Sequence, residues 1–390
     1  MVFDVTAQKI TPKGQCIAYL SPESGRGGKA TFIPGAIPGE RLKVCITGEK
    51  RDWCSSRIVE VVASSPYRVP PACKWQPICG GCDFMHIEGG HQVALKKQIL
   101  TSCLAHQGVA YPPLELVSGE QTHYRCRIRL HEGGFVKRAS HEMAAVSSCL
   151  VATQEVNEYL AATPPQKRPK GSCAVFASRL LEVPPLSPSG KLPPQVVVQS
   201  EREEDNRAAV RLLGKRIAFD VRGFFQSNME LLEQTVPLVT AGLEGRRAVD
   251  LCSGVGVFAL FLADSFDEVV AVERDTRAAE LAKENLAGKR AKVYGESTAL
   301  WCSRHTTAGG KAERFDAAVV DPPRGGMDKA TVRWLCSSGI GQIRSLSCDS
   351  ATHARDLRIL CDAGYKVTRM VLLDFMPQTS HVESLAYLKR

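Results

Sequence analysis

Cys348 stands in Ser347-Cys348-Asp349-Ser350-Ala351-Thr352, directly after the apolar run Ile343 to Leu346 and downstream of Asp321-Pro322-Pro323-Arg324. An open α/β sheet places its ligands at the C-terminal ends of its strands, so a cysteine there is a nucleophile candidate. Taken alone, such a cysteine is more often a buried thiol. A thiolate can add to C6 of a pyrimidine, which makes C5 carbanion-like and able to take a methyl group; a base must then remove the C5 proton. Glu383, in His381-Val382-Glu383-Ser384, is the candidate base, against the plainer reading of a solvated strand-end carboxylate. The Pro-Pro turn after Asp321 fixes the direction of neighbouring polar groups. An aromatic residue after it would suggest amino-group methylation of adenine, but the fourth residue is Arg324.

A methyl donor needs a cradle. Asp250-Leu251-Cys252-Ser253-Gly254-Val255-Gly256-Val257-Phe258 reads as the first strand-to-helix turn of a nucleotide fold. Gly254 and Gly256 allow a tight turn and close approach of the backbone to a ligand, and a side chain at either would occupy ligand space. The third glycine of the dinucleotide fingerprint is missing, so a pyrophosphate is disfavoured. Glu273 follows Asp250 by 23 residues, near the spacing at which a carboxylate accepts hydrogen bonds from ribose hydroxyls. An adenosine ligand without a diphosphate fits both features, and S-adenosylmethionine is the common one.

A second constellation lies upstream. Cys73-x5-Cys79-Gly80-Gly81-Cys82 supplies three thiolates within ten residues, and Cys149 in Ser147-Ser148-Cys149 supplies a fourth. All-thiolate coordination permits zinc or an iron–sulfur cluster. The first spacing is wider than the C-x2-C of a zinc finger, which favours [4Fe-4S].

The elements that must position these residues follow from the hydrophobic pattern. Residues 1–62 read as small all-β, with Leu42, Val44 and Ile46 alternating with Lys43, Cys45 and Thr47. Ser24-Gly25-Arg26-Gly27-Gly28 and Pro34-Gly35…Pro38-Gly39 punctuate short strands, and a five-stranded barrel of the oligonucleotide-binding type suits the pattern. Residues 63–215 are mixed: a helix over 91–107, then a hairpin over 123–138 whose alternating arginines could form one basic face, against the plainer reading of a solvated charge run. Residues 183–194 and 201–205 read as surface loops. From 216 onward, strands at 248–251, 268–272, 317–320 and 343–346 alternate with helices such as 276–286 and 352–362, which means a parallel sheet covered by helices. Two final strands, 366–375 and 382–388, close it as an antiparallel pair.

At 390 residues the chain exceeds one core. A hydrophobic content of 44% argues against extended disorder, and the formal charge of +9 suits an anionic partner such as RNA without requiring one. No apolar run approaches a bilayer span, and Met1-Val2-Phe3-Asp4-Val5 opens no signal peptide, so a cytoplasmic location is expected, with no membrane. The fifteen cysteines are then thiols, metal ligands or catalysts rather than disulfides. No obligate protein partner is evident.

Together these residues resemble the iron–sulfur RNA (uracil-5-)methyltransferases, and in particular the large-subunit ribosomal RNA branch. The resemblance covers nearly the whole chain. Phe32-Ile33-Pro34-Gly35-Ala36-Ile37-Pro38-Gly39-Glu40 is similar to a TRAM domain, and Tyr124-Arg125 with the basic stretch after it is similar to the family's central RNA-binding domain. The resemblance implies a C-terminal Rossmann-like class I methyltransferase domain (216–390), an N-terminal OB-like barrel (1–62) and a central α+β domain (63–215). It implies a [4Fe-4S] cluster on Cys73, Cys79, Cys82 and Cys149. Gln226, in Phe225-Gln226-Ser227-Asn228, corresponds to the glutamine of the F-x-Q-x-N motif that contacts S-adenosylmethionine. Cys252, Gly254, Gly256, Val257, Glu273, Ser297 and Asp321 line the cofactor site by the same resemblance, with Cys348 as nucleophile and Glu383 as proton acceptor. The chain departs from the family at Ser350, where a proline is usual and whose loss could loosen the nucleophile loop, and at Cys252 and Val257. The expected activity is methylation of C5 of a uridine in 23S rRNA. The alternatives are a transfer-RNA uridine enzyme, a cytosine C5 enzyme, disfavoured because no second cysteine follows the Asp-Pro-Pro turn, and a non-catalytic iron–sulfur RNA-binding or redox-sensing protein.

Overall fold

The structure is a computed structural model, and it describes residues 1–21, 28–182, 196–200, 206–306 and 313–390. Most of the Ser24–Gly28 punctuation and the whole of 183–194 and 201–205 lie outside the described residues.

The N-terminal region forms one strongly bent sheet of six strands: β1 (Val2–Thr6), β2 (Lys9–Ile10), β3 (Cys16–Tyr19), β4 (Ala30–Ile33), β5 (Arg41–Glu49) and β6 (Trp53–Ala63), ordered β1-β5-β6-β4-β3-β2. The expectation of five strands is corrected to six among the described residues. The extra strand, β2, is only two residues long and leaves no alternation to read. Register shifts between β5 and β6 bend the pair, and Leu42, Val44, Ile33 and Ala18 line the enclosed face.

The middle of the chain contributes α1 (Gly89–His106), β7 (Glu115–Ser118), β8 (Arg127–His131), β9 (Phe135–Val136), β10 (Met143–Ala144), α2 (Gln154–Ala162), β11 (Ser172–Ala177), β12 (Val196–Ser200), β13 (Arg207–Leu212) and β14 (Lys215–Asp220). Glu88 starts α1 by accepting the Gly90 and His91 N–H groups. The hairpin expected over 123–138 is not a two-stranded unit. The chain turns at His131–Gly134, but β8 pairs with β11 while β9 pairs with β10. The arginines do share one face, alternating with buried Cys126, Ile128 and Leu130. Arg127 donates to the Val221 and Arg222 carbonyls, Arg129 to Arg222 O, and Arg125 to Arg127 O, so these guanidiniums brace backbone.

The C-terminal region alternates as its apolar runs require: α3 (Met229–Thr240), β15 (Gly245–Leu251), α4 (Val257–Leu262), β16 (Phe266–Val272), α5 (Thr276–Asn285), β17 (Ala291–Tyr294), α6 (Thr298–Arg304), β18 (Ala317–Val320), α7 (Lys329–Ser338), β19 (Gln342–Ser347), α8 (Ser350–Asp362), β20 (Lys366–Asp374) and β21 (Glu383–Lys389). The sheet order is β17-β16-β15-β18-β19-β21-β20-β7. Strands β15 to β19 are mutually parallel, and β21 runs antiparallel to both β19 and β20. The order reverses between β15 and β18, a crevice of the kind that takes ligands in open sheets. Strand β7, from the middle of the chain, pairs parallel with β20 and extends this sheet. No helix among the described residues is long and apolar enough to cross a membrane.

Candidate active site

The donor cradle is built at the C-terminal end of β15. Cys252 (φ 62°), Gly254 (φ 54°) and Gly256 (φ 79°) all take left-handed backbone, which is costly for the cysteine. A Cβ added at Gly254 would meet nothing within 4 Å, whereas one at Gly256 would press on Ala282 Cβ at 3.3 Å. Gly254 thus borders open space. Gly256 makes room for helix α5. Glu273 follows β16, and its carboxylate is aimed by two backbone donors, Gly254 N–H on Oε2 and Asp275 N–H on Oε1, both at 2.8 Å. Asp250 is fully buried with Oδ2 on Ala259 N–H and Oδ1 without a partner; burial pushes its carboxyl well above the usual range. Burial, then the carboxylates of Glu273, Asp321 and Asp250, push the Cys252 thiol up to about 12. These groups fit an adenosine-type cofactor carrying positive charge, since carboxylates crowd around an open backbone turn.

Gln226 lies partly buried before α3, where its carbonyl accepts from Cys126 Sγ and Asn228 caps the helix on Leu231 N–H. Val257 opens α4 at the turn. Ser297 is exposed, and its hydroxyl accepts from Leu300 N–H as the cap of α6. The hydroxyl thus has a structural partner already.

The candidate reacting groups come from three strand ends. Asp321 follows β18 and its N–H reaches Leu251 O, Cys348 follows β19, and Glu383 begins β21. Ser347 pairs with Ser384 in the β19–β21 register, so the next rung sets Cys348 beside Glu383. Electrostatics agree with this placement. Burial pushes the Cys348 thiol up to about 11, Glu383 and Asp321 add to the rise, and Arg324 opposes it. Burial also raises Glu383 to about 8, with Asp321 adding and Lys96 opposing. Asp321 rises to about 7 through burial. The thiol is thus neutral at rest. Its ionisation near pH 7 costs roughly 5 kcal/mol before substrate binds.

The loop that carries Cys348 is tied down despite the missing proline. Asp349 caps α8 on Ala351 and Thr352 N–H, and Thr352 Oγ1 donates to Arg324 O, tying the loop to the Pro-Pro turn. Ser350 is the first residue of α8 and is buried. That position needs no N–H donor, so the expected loosening is not seen. Buried His353, held near pKa 4 by burial, bridges Ser384 Oγ at 2.7 Å and Ser345 Oγ at 3.2 Å, locking α8 onto β19 and β21.

The four upstream cysteines are brought together. Cys73, Cys82 and Cys149 pack against Met85, Tyr124 and Val151, and burial, followed by Cys149 and Cys79, pushes the Cys82 thiol up to about 12. Gly81 N–H donates to Cys79 Sγ, Arg138 holds the Cys79 and Cys82 carbonyls, and Asn157 receives the Cys149 N–H. All four are cysteines, a donor set of the kind that all-thiolate metal chemistry uses. Among the described residues, however, no group of three or more His, Cys, Asp or Glu is drawn close enough to hold a metal ion.

Sequence reasoning missed two features. Phe224 is 74% exposed, two residues after Arg222; an aromatic doublet preceding Gln226 was its signal. Lys96 and Asp374 form a fully buried ion pair at 2.6 Å beside Glu383, and 278 residues separate them with no local signal.

A family model described as tRNA (Uracil-5-)-methyltransferase matches residues 308–390, and one described as methyltransferase small domain matches 227–334. An RNA methyltransferase of Streptomyces avermitilis is 30% identical over 435 residues, covering 99% of this chain and 98% of its own. The chain belongs to the RNA (uracil-5-)methyltransferase family. Another member, the 23S rRNA (uracil(1939)-C(5))-methyltransferase RlmD of Shewanella amazonensis, is 29% identical across 97% of this chain and 95% of its own. The solved tRNA (uracil-54, C5)-methyltransferase of Pyrococcus abyssi, in complex with S-adenosyl-L-homocysteine, shares the fold over 98% of this chain and 99% of its own, with a TM-score of 0.74 at 21% identity. The methyltransferase fold expected for the C-terminal region is therefore observed.

Proposed function

We propose that the protein methylates C5 of a uridine in large-subunit ribosomal RNA, giving 5-methyluridine. The observation that carries this reading is the meeting of Cys348, Glu383 and Asp321 at three strand ends beside the Gly254 turn. S-adenosylmethionine, when bound, supplies the methyl group as an electrophilic sulfonium. Gln226, Cys252, Gly254, Val257, Glu273 and Asp321 hold it, and Ser297 borders the same crevice. The target uridine leaves its stack to enter the pocket. Cys348 Sγ bonds to C6 and electron density gathers at C5, which takes the methyl. Glu383 removes the C5 proton, the C5–C6 double bond re-forms, and Cys348 departs as thiolate. Arg324 faces the sulfur and eases its ionisation.

The remaining assignments belong to the same proposal. Residues 1–62 and 63–215 serve as RNA-binding domains ahead of the methyltransferase domain at 216–390. Cys73, Cys79, Cys82 and Cys149 hold a [4Fe-4S] cluster, a reading that rests on the family resemblance and on the other three lying around Cys82. Ribosomal RNA is favoured by the TRAM-like N-terminal region and by relatives named for 23S rRNA. A transfer-RNA substrate is the second reading, favoured by the likeness to the Pyrococcus structure. The site of action is the cytoplasm.

Mass-spectrometric mapping of 5-methyluridine in rRNA and tRNA from cells with the gene, without it, and complemented by Cys348→Ala tests the proposal. One rRNA uridine should lose its methyl group without the gene and not regain it with the variant. Restoration by the variant, or loss only from tRNA, contradicts the nucleophile or the substrate respectively.

A further inference from the structure

Glu383 is delivered by residues 375–382, the connection between β20 and β21. Main-chain groups of this loop find partners outside it. Phe84 N–H donates to Gln378 O (3.0 Å) and Tyr124 OH to Pro377 O (2.8 Å). Gln92 receives Gln378 N–H (2.9 Å) and donates to Gln378 Oε1 (3.0 Å), pinning a residue whose φ is +66°. Lys96 Nζ reaches Met376 O (2.9 Å) as well as Asp374 Oδ1 (2.6 Å). Asp83, adjacent to Cys82, takes Ser380 N–H on Oδ1 (2.8 Å) and Ser380 OH on Oδ2 (2.6 Å). Gly14 of the N-terminal sheet packs so closely that a Cβ there would lie 2.3 Å from Ser380 Cβ.

The loop's own bonds are few, Thr379 Oγ1 to Met376 O and His381 N–H to Thr379 Oγ1, and residues 83–124 supply most of its other partners. Nor is stability a sufficient reason for the arrangement at Lys96. A buried ion pair is often no more stabilising than apolar side chains of equal volume, and Asp374 Oδ2 is left without a partner. What the contacts do achieve is a fixed approach of Glu383 to the strand end that carries Cys348.

We propose that Asp83, Gln92 and Lys96 are positioning residues for Glu383, clamping the 375–382 loop so that its carboxylate meets the C5 proton of the substrate base. The inference rests on the role given to Glu383 above. It separates two halves of the reaction: thiol addition and methyl transfer depend on β18, β19 and the Gly254 turn, while proton removal and release depend on the clamp.

Single-turnover reactions of the full-length protein with labelled substrate RNA, resolved on denaturing gels, test this with Asp83→Ala, Asp83→Asn, Ser380→Ala and, in parallel, Glu383→Gln. Adduct should form at the unaltered rate and decay slowly, by roughly 10²-fold for Asp83→Ala. Asp83→Asn, which keeps one acceptor, should decay at an intermediate rate, and cofactor affinity by calorimetry should not change. Ser380→Ala removes one hydroxyl and decides the matter if Asp83→Ala does not fold. Accumulation of adduct in Glu383→Gln alone, with the clamp variants releasing RNA at the unaltered rate, overturns the clamp but not the base. Parallel loss of adduct formation and release in the clamp variants also overturns it. Absence of lasting adduct in Glu383→Gln removes the base itself, and the clamp with it.

Discussion

The value near 8 for Glu383 makes the last chemical step pH-dependent in a way that can be isolated. Proton removal from C5 requires the carboxylate. The ionised fraction is therefore about one in eleven at pH 7 and about one in a hundred at pH 6, a loss of about 1.4 kcal/mol of driving force per unit. The donor is a neutral thioether by then, so its sulfonium no longer depresses the acid. Adduct formation has its own pH dependence in the Cys348 thiol near 11, so the steps must be separated. Adduct formed at one pH is jumped to a second pH, and its decay is followed by loss of the gel-shifted species and by release of tritium from C5. The decay rate should rise tenfold per unit up to about pH 8 and level off above it. A flat profile, or a midpoint near the ordinary glutamate value, would refute the assignment of Glu383 as a buried base.

Gly254→Ala places a methyl group in open space at a left-handed position, so calorimetry should find cofactor affinity sharply reduced while unfolding changes by only about 1–2 kcal/mol. Ser350→Pro fits the first position of α8 and should raise stability by roughly 0.4–1 kcal/mol in urea titrations with activity retained, because proline restricts the unfolded chain there. Lys96→Met strands Asp374 in the interior and should cost about 3–5 kcal/mol, whereas Lys96→Met with Asp374→Leu should recover most of it. Equal instability of the single and double variants would show that the ion pair is not the cause.

Much of the site was legible because its parts lie at the ends of runs that announce themselves. The apolar stretches before Cys252, Asp321 and Cys348 became β15, β18 and β19, and the glycines at 254 and 256 marked the turn. What the sequence could not express was pairing. Nothing local sets β21 against β19 rather than at an edge, yet that register is what brings Glu383 beside Cys348. The same limit hid β7 at the far edge of the sheet. It also hid that the arginines of β8 reach the carbonyls of 221–222. Ser297 shows a different limit, since one hydroxyl can cap a helix or meet a ligand and the residue type is the same for both.

The central claim is a carbon–sulfur bond between Cys348 and C6 of a uridine. Glu383→Gln protein incubated with substrate RNA and S-adenosylmethionine, then digested with nuclease and protease, should yield a peptide containing Cys348 carrying a methylated uridine adduct by tandem mass spectrometry. A modified nucleotide attached to any other residue, or recovery of methylated RNA with Cys348 unmodified throughout the time course, would contradict it.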